Sequence, residues 1–162
     1  MEVNGVTLLL VEDDLVDAEA IQRAFRQHRI ANPFVVVPDG VEALRALRGQ
    51  SEVEVPHPYV VLLDINMPRM NGLEFLAELR ADPELARTIV FVLTTSDREE
   101  DKVAAYDNHV AGYILKSRVG EDFLEVVKLL KVYWRLVEFP PEAGDGGRPD
   151  GGRPAPPAPA AA

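Results

Sequence analysis

The 162-residue chain has no cysteine. That excludes disulfides, thiolate nucleophiles and thiolate zinc sites together. It is also short of positive charge. Seventeen Lys and Arg stand against 27 Asp and Glu, for a formal net charge of −10. Such a balance argues against a nucleic-acid footprint. No apolar run reaches the length of a membrane span. The opening MEVNGVTLLLVEDD lacks the basic start and cleavage site of a signal peptide. The expected location is the cytoplasm. No Gly-rich phosphate loop follows the first apolar run, which argues against a nucleotide-binding module. After residue 138 there is neither a helix pattern nor much positive charge, so no DNA-binding module is expected there.

What is present is a repeated alternation of short apolar runs and helical patterns. VTLLLV (6–11) has no polar face, as in a parallel strand buried on both sides. Leu15, Ala18, Ile21 and Phe25 follow at helical spacing, with Asp14 placed as N-cap. FVVV (34–37), YVVLLD (59–64), TIVFVLT (88–94) and AGYIL (111–115) read as four more strands. The helix of GVEALRALRG is stopped by Gly49. Asn71 and Glu74 resemble a capping box opening GLEFLAELRA. REEDKVAAYD reads as a fourth helix and residues 120–138 as a fifth. Five strand–helix pairs imply an α/β fold: a parallel sheet with helices on both faces. From Pro140 the composition turns to Pro, Gly and Ala. We therefore expect one domain over 1–139 and a disordered tail over 140–162.

In open sheets of this kind, ligands bind at the carboxyl ends of the strands. Glu12, Asp13 and Asp14 follow the first strand and Asp64 ends the third. Thr94 and Thr95 end the fourth, and Lys116 follows the fifth. Singly, each has an ordinary explanation. Asp14 serves as a helix cap, Asp64 as a turn former, Thr94 as a β-branched strand residue and Lys116 as a surface lysine. Jointly they bring carboxylates, a hydroxyl and an ammonium to one rim. Clustered carboxylates repel, and a hard cation such as Mg²⁺ relieves them. A lysine and a hydroxyl beside that cation suit a phosphoryl group, with Asp64 as nucleophile. His28, His57 and His109 show no ligand spacing. His109 sits where the chain reverses into the fifth strand and suits a left-handed conformation.

LLLVEDD, LLDINMPRMNG, VLTTS and AGYILK together resemble the receiver domain of two-component response regulators, over residues 5 to 138. The resemblance implies a doubly wound (βα)5 flavodoxin-like sheet of strand order 2-1-3-4-5. It implies that Asp64 is the phosphoacceptor and that Mg²⁺ is held by Asp13, by Glu12 through water, by Asp64 and by the backbone carbonyl of Asn66. Thr94 is then the switch hydroxyl, Tyr113 the aromatic that follows it inward, and Lys116 the partner of the phosphoryl oxygens. Such a protein is a signalling phosphoacceptor and not an enzyme acting on a separate substrate. The family's proline after the lysine, often in a cis peptide, is replaced by Ser117; a cis bond there would cost about 2.5–4 kcal/mol, and the sequence leaves the isomer open. LTTSDREEDKVAAYDNHVAGYILKS and VYWRLVEFP are similar to the single-domain regulators of bacterial phytochrome histidine kinases. This narrower likeness implies such a kinase as partner and a homodimer through the last helix.

On that helix, at about 100° per residue, Phe123, Val127, Leu130, Trp134 and Val137 form a stripe that covers the sheet. Leu129, Val132, Tyr133 and Leu136 widen the apolar arc to roughly 200°, beyond what a surface helix needs, and are assigned to a dimer seam. The competing reading is a Mg²⁺-dependent phosphohydrolase with an aspartyl nucleophile. Such enzymes carry the nucleophile on the first strand, with a second acid two residues later. Here it is on the third strand, and the residue two later is Asn66.

Overall fold

The computed structural model describes residues 5–119 and 123–142. Five strands, β1 (Thr7–Val11), β2 (Phe34–Val37), β3 (Tyr59–Leu63), β4 (Ile89–Thr94) and β5 (Gly112–Leu115), form one parallel sheet ordered β2-β1-β3-β4-β5. Between and after them run α1 (Leu15–Gln27), α2 (Gly40–Leu47), α3 (Gly72–Ala81), α4 (Glu99–Asp107) and α5 (Leu124–Leu136).

The strands are apolar on both faces because both faces are covered. Side chains alternate across a strand, so Leu8, Leu10, Val60, Leu62, Phe91 and Leu93 face one core layer. That layer is closed by Ile21 and Phe25 of α1 and Val127, Leu130 and Trp134 of α5. Leu9, Val11, Val61, Leu63, Val90 and Val92 face the other, closed by Leu44 of α2, Phe75, Leu76 and Leu79 of α3 and Ala105 of α4.

Local signals set the helix ends. Asp14 accepts from the amides of Val16 and Asp17, and Asn71 accepts from Glu74. Caps of this kind each contribute about 1 kcal/mol. Gly49 (φ +69°) and His109 (φ +60°) take the left-handed conformation expected of them. His57 is part-exposed, with its ring 4.7 Å from that of Tyr59. The His57–Pro58 peptide is cis, and Lys116–Ser117 is trans.

Several expectations need correction. Leu15 is exposed, because it opens α1 beyond the end of β1, where no sheet lies beneath it. The last helix ends at Leu136. Val137 is extended and part-exposed, so helical spacing no longer applies to it, and Val126 completes the buried stripe instead. Tyr133 is half-buried. Its ring packs edge-on against Phe91 at 4.9 Å and lies 6.5 Å from Phe139. The exposed strip of α5 is therefore Leu129, Val132 and Leu136. Residues 140–142 are described and line a small depression with His57, Tyr59 and Phe139 at the amino-terminal pole of the sheet. The rest of the expected tail, 143–162, and the first residues of the expected last helix, 120–122, lie outside the described residues.

Candidate functional site

Strand register builds the site. Val11 pairs with Leu63, so the next residues, Glu12 and Asp64, stand side by side at the switch point between β1 and β3. The ladder continues one step past each strand, through Asp64 N–H to the Val11 carbonyl and Glu12 N–H to the Val37 carbonyl, both 3.0 Å. Thr94 pairs with Leu115, which delivers Lys116 to the same rim.

The turn after Asp64 holds the carboxylate still. Its Oδ1 accepts from the Asn66 amide at 3.1 Å. The Gly72 amide donates to the Ile65 carbonyl at 2.9 Å and closes the loop. Gly72 also passes so close to the loop that an added Cβ would stand 2.6 Å from the Asp64 carbonyl oxygen. Glycine is thus required there by proximity. Arg69 (φ +62°) pairs with the buried Asp39 and anchors the loop to the start of α2.

Lys116 is nearly buried, and its Nζ donates to three carboxylates. The distances are 2.7 Å to Asp17 Oδ2, 2.8 Å to Glu12 Oε2 and 3.3 Å to Asp64 Oδ2. Burial pushes the Glu12 carboxyl up to about 7. The Lys116 hydrogen bond opposes that rise, and the Asp64 charge adds to it. For Lys116, burial favours the neutral amine, but the hydrogen bonds to Asp17 and Glu12 and the Asp64 charge outweigh it. The ammonium is held above the usual lysine value.

Glu12, Asp13 and Asp64 each offer a carboxylate oxygen, all within 4.8 Å of one another, with Asp13 exposed to solvent. An all-oxygen donor set of this kind, open on one side, fits a hard divalent cation that keeps some of its water. Asn66 lines the same depression as Asp13.

The remaining predicted residues form an adjacent chain of contacts. Thr94 is fully buried, and its Oγ1 accepts from the Ser96 amide at 3.3 Å. The Tyr113 hydroxyl donates to the Ser96 carbonyl at 2.8 Å. The Ser96 hydroxyl donates to Asp101. Sequence reasoning missed Ser96, which links the hydroxyl to the aromatic ring. It also left Asp17 unassigned. The available signal was position: Asp17 lies in the first turn of α1, on the rim shared with Glu12.

The sequence model of the response regulator receiver domain matches residues 8–128. The chain belongs to the response regulator receiver family. Among its relatives is the response regulator Rcp1 of a Synechocystis species, 38% identical over 128 residues, which are 78% of this chain and 87% of that protein. The crystal structure of the Mn(2+)-bound form of Rcp1 matches with a TM-score of 0.73 at 37% identity, covering 83% of this chain and 99% of that one. The phosphorylated cyanobacterial phytochrome response regulator RcpA also matches with a TM-score of 0.73 at 37% identity, covering 83% and 98%. The bacteriophytochrome response regulator AtBRR matches with a TM-score of 0.63 at 34% identity, covering 81% and 96%. As a receiver domain, the chain is a signalling module. Among the described residues, no helix is long and apolar enough to cross a membrane.

Proposed function

We propose that Asp64 accepts a phosphoryl group from a histidine kinase of the phytochrome type and that phosphorylation switches partner binding. The observation that carries this reading is the Asp64 carboxylate, buried to 6% exposure between Glu12 and Lys116 at the end of β3. An Asp64 oxygen forms the new P–O bond as the P–N bond of a phosphohistidine breaks, and the imidazole leaves. Lys116 is within reach to balance charge on the transferring oxygens. Asp13, Glu12 through water, Asp64 and the Asn66 carbonyl would hold Mg²⁺. That ion supplies further charge neutralisation when bound. The phytochrome kinase is supported by the likeness to Rcp1, RcpA and AtBRR.

After transfer, the phosphoryl group attracts the Thr94 hydroxyl, which frees the Ser96 amide. Tyr113, tied to the Ser96 carbonyl, moves inward with it. A ligand shifts such an equilibrium only by its differential interaction with the two states. The exposed strip of Leu129, Val132 and Leu136, 43%, 55% and 79% exposed, supports a homodimer through α5.

Intact-mass spectrometry after acetyl phosphate treatment tests the first step. One phosphoryl adduct is expected with Mg²⁺, and none in EDTA or in Asp64→Asn. Unchanged labelling in Asp64→Asn would sink the assignment. Phosphotransfer from an autophosphorylated phytochrome kinase tests the partner. Sedimentation of wild type against Val132→Glu tests the dimer, with the variant expected to be a folded monomer.

A further inference from the structure

Lys116 spends its three ammonium hydrogens on three carboxylates, and the three are not equivalent. Glu12 and Asp64 belong to the metal and phosphoacceptor set. Asp17 does not: it stands on α1, and its carboxylate lies outside the close group of Glu12, Asp13 and Asp64. Yet Asp17 makes the shortest of the three contacts, at 2.7 Å. Its backbone is held in the first turn of α1, because its amide donates to the Asp14 carboxylate of the N-cap.

The backbone beneath Lys116 holds it less firmly. Lys116–Arg118 is a short 3₁₀ turn with no side-chain cap, and Ser117 and Arg118 are exposed. The ammonium is therefore placed from its tip. When Asp64 and Glu12 are drawn into phosphoryl and cation chemistry, the Asp17 carboxylate remains as counter-ion. A charge-assisted hydrogen bond is directional as well as strong.

We propose that Asp17 is a positioning residue for phosphoryl transfer: a carboxylate on α1 that anchors the Lys116 ammonium beside Asp64 through the reaction. This rests on the phosphoacceptor role of Asp64 proposed above. With the anchor in place, Lys116 keeps its Asp17 contact while the longest one, to Asp64 Oδ2, gives way to a phosphoryl oxygen. Without it, the ammonium has no counter-ion outside the reacting set, and its alignment for the transferring oxygens is lost.

The test uses the full chain, with acetyl phosphate and Mg²⁺ as probe, and four proteins: wild type, Asp17→Ala, Lys116→Met and the double variant. Asp17→Ala should slow labelling at saturating probe by about tenfold, the cost of a modest misplacement of a reacting group. Its half-saturation for Mg²⁺ should stay unchanged. A fifth protein, Asp17→Glu, should recover part of the rate. In the Lys116→Met background, Asp17→Ala should have no further effect, since the two act as one unit.

Urea unfolding of the same four proteins gives a readout that needs no phosphorylation. The two substitutions should be non-additive in the unfolding equilibrium constant. Labelling of Asp17→Ala at or above the wild-type rate overturns the proposal. So does an equal slowing in the Lys116→Met background, or additive unfolding effects. If wild type takes no label at all, the phosphoacceptor reading fails and this inference with it. The unfolding cycle then shows whether the ion pair alone survives.

Discussion

Gly72→Ala separates two effects of opposite sign. Gly72 is the first residue of α3, where alanine gains up to ~1 kcal/mol in helix propensity. Against this stands the close passage of α3 beneath the turn that follows Asp64. A Cβ at residue 72 would stand 2.6 Å from the Asp64 carbonyl oxygen and 2.7 Å from the Ile65 Cα. Carbon atoms in contact sit at about 3.5–4.0 Å, so the overlap with Ile65 is about 1 Å. Both obstructing atoms are backbone, and no rotamer change relieves them. Overpacking of this kind costs roughly 1–3 kcal/mol. After the propensity gain, a net loss of ~1 kcal/mol in the urea unfolding free energy is expected.

The same displacement moves Asp64, so the rate of acetyl phosphate labelling should fall on the order of tenfold to a hundredfold. Gly49→Ala is the control. Gly49 needs its positive φ, but a Cβ added there would meet no heavy atom within 4 Å. That variant should lose about 1–2 kcal/mol through backbone strain and label at the wild-type rate. A Gly72→Ala protein as stable as wild type, or labelled at its rate, would refute the argument that close approach positions Asp64.

Arg80 should matter more than its place on the helix surface suggests. Its guanidinium donates to the carbonyls of Ala86, Thr88, Asn108 and His109, so Arg80→Ala should cost ~2 kcal/mol in urea unfolding, and Arg80→Lys, which lacks the planar fork, should recover less than half. Stability without metal should fall as pH rises. Glu12 stands at about 7 when folded against 4.5 unfolded, so its contribution is full below 4.5 and lost as pH rises through 7, by up to ~3 kcal/mol. Glu12→Gln should flatten that slope, and a slope that persists in the variant would assign it to another group. Thr94→Ala should keep most of the labelling but weaken the conformational response, read as a change in Tyr113 fluorescence or NMR shifts. Complete loss of labelling would place Thr94 in the chemistry instead of the switch.

Alternation and capping were legible in the chain itself. Apolar runs such as VTLLLV have no polar face, as is typical of a strand buried on both sides. Asp14 and Asn71 cap helices because a short oxygen-bearing side chain satisfies free amides wherever a helix begins. Those local rules, with the order of the strand ends, brought Glu12, Asp13, Asp64, Thr94 and Lys116 to one rim. Local rules do not say what lies across a gap. Leu15 has the helical spacing of a core residue but finds no sheet beneath it, while Tyr133, on the same apolar arc as Leu129 and Val132, is half-buried against Phe91. Val137 keeps the spacing of the buried stripe after the helix has stopped. Gly72 reads as turn chemistry, yet it is constrained by a backbone seven residues earlier. Asp17 and Lys116 lie 99 residues apart. Only the packing of α1 beside the end of β5 made them partners, because an ion pair is decided by distance in space and not along the chain.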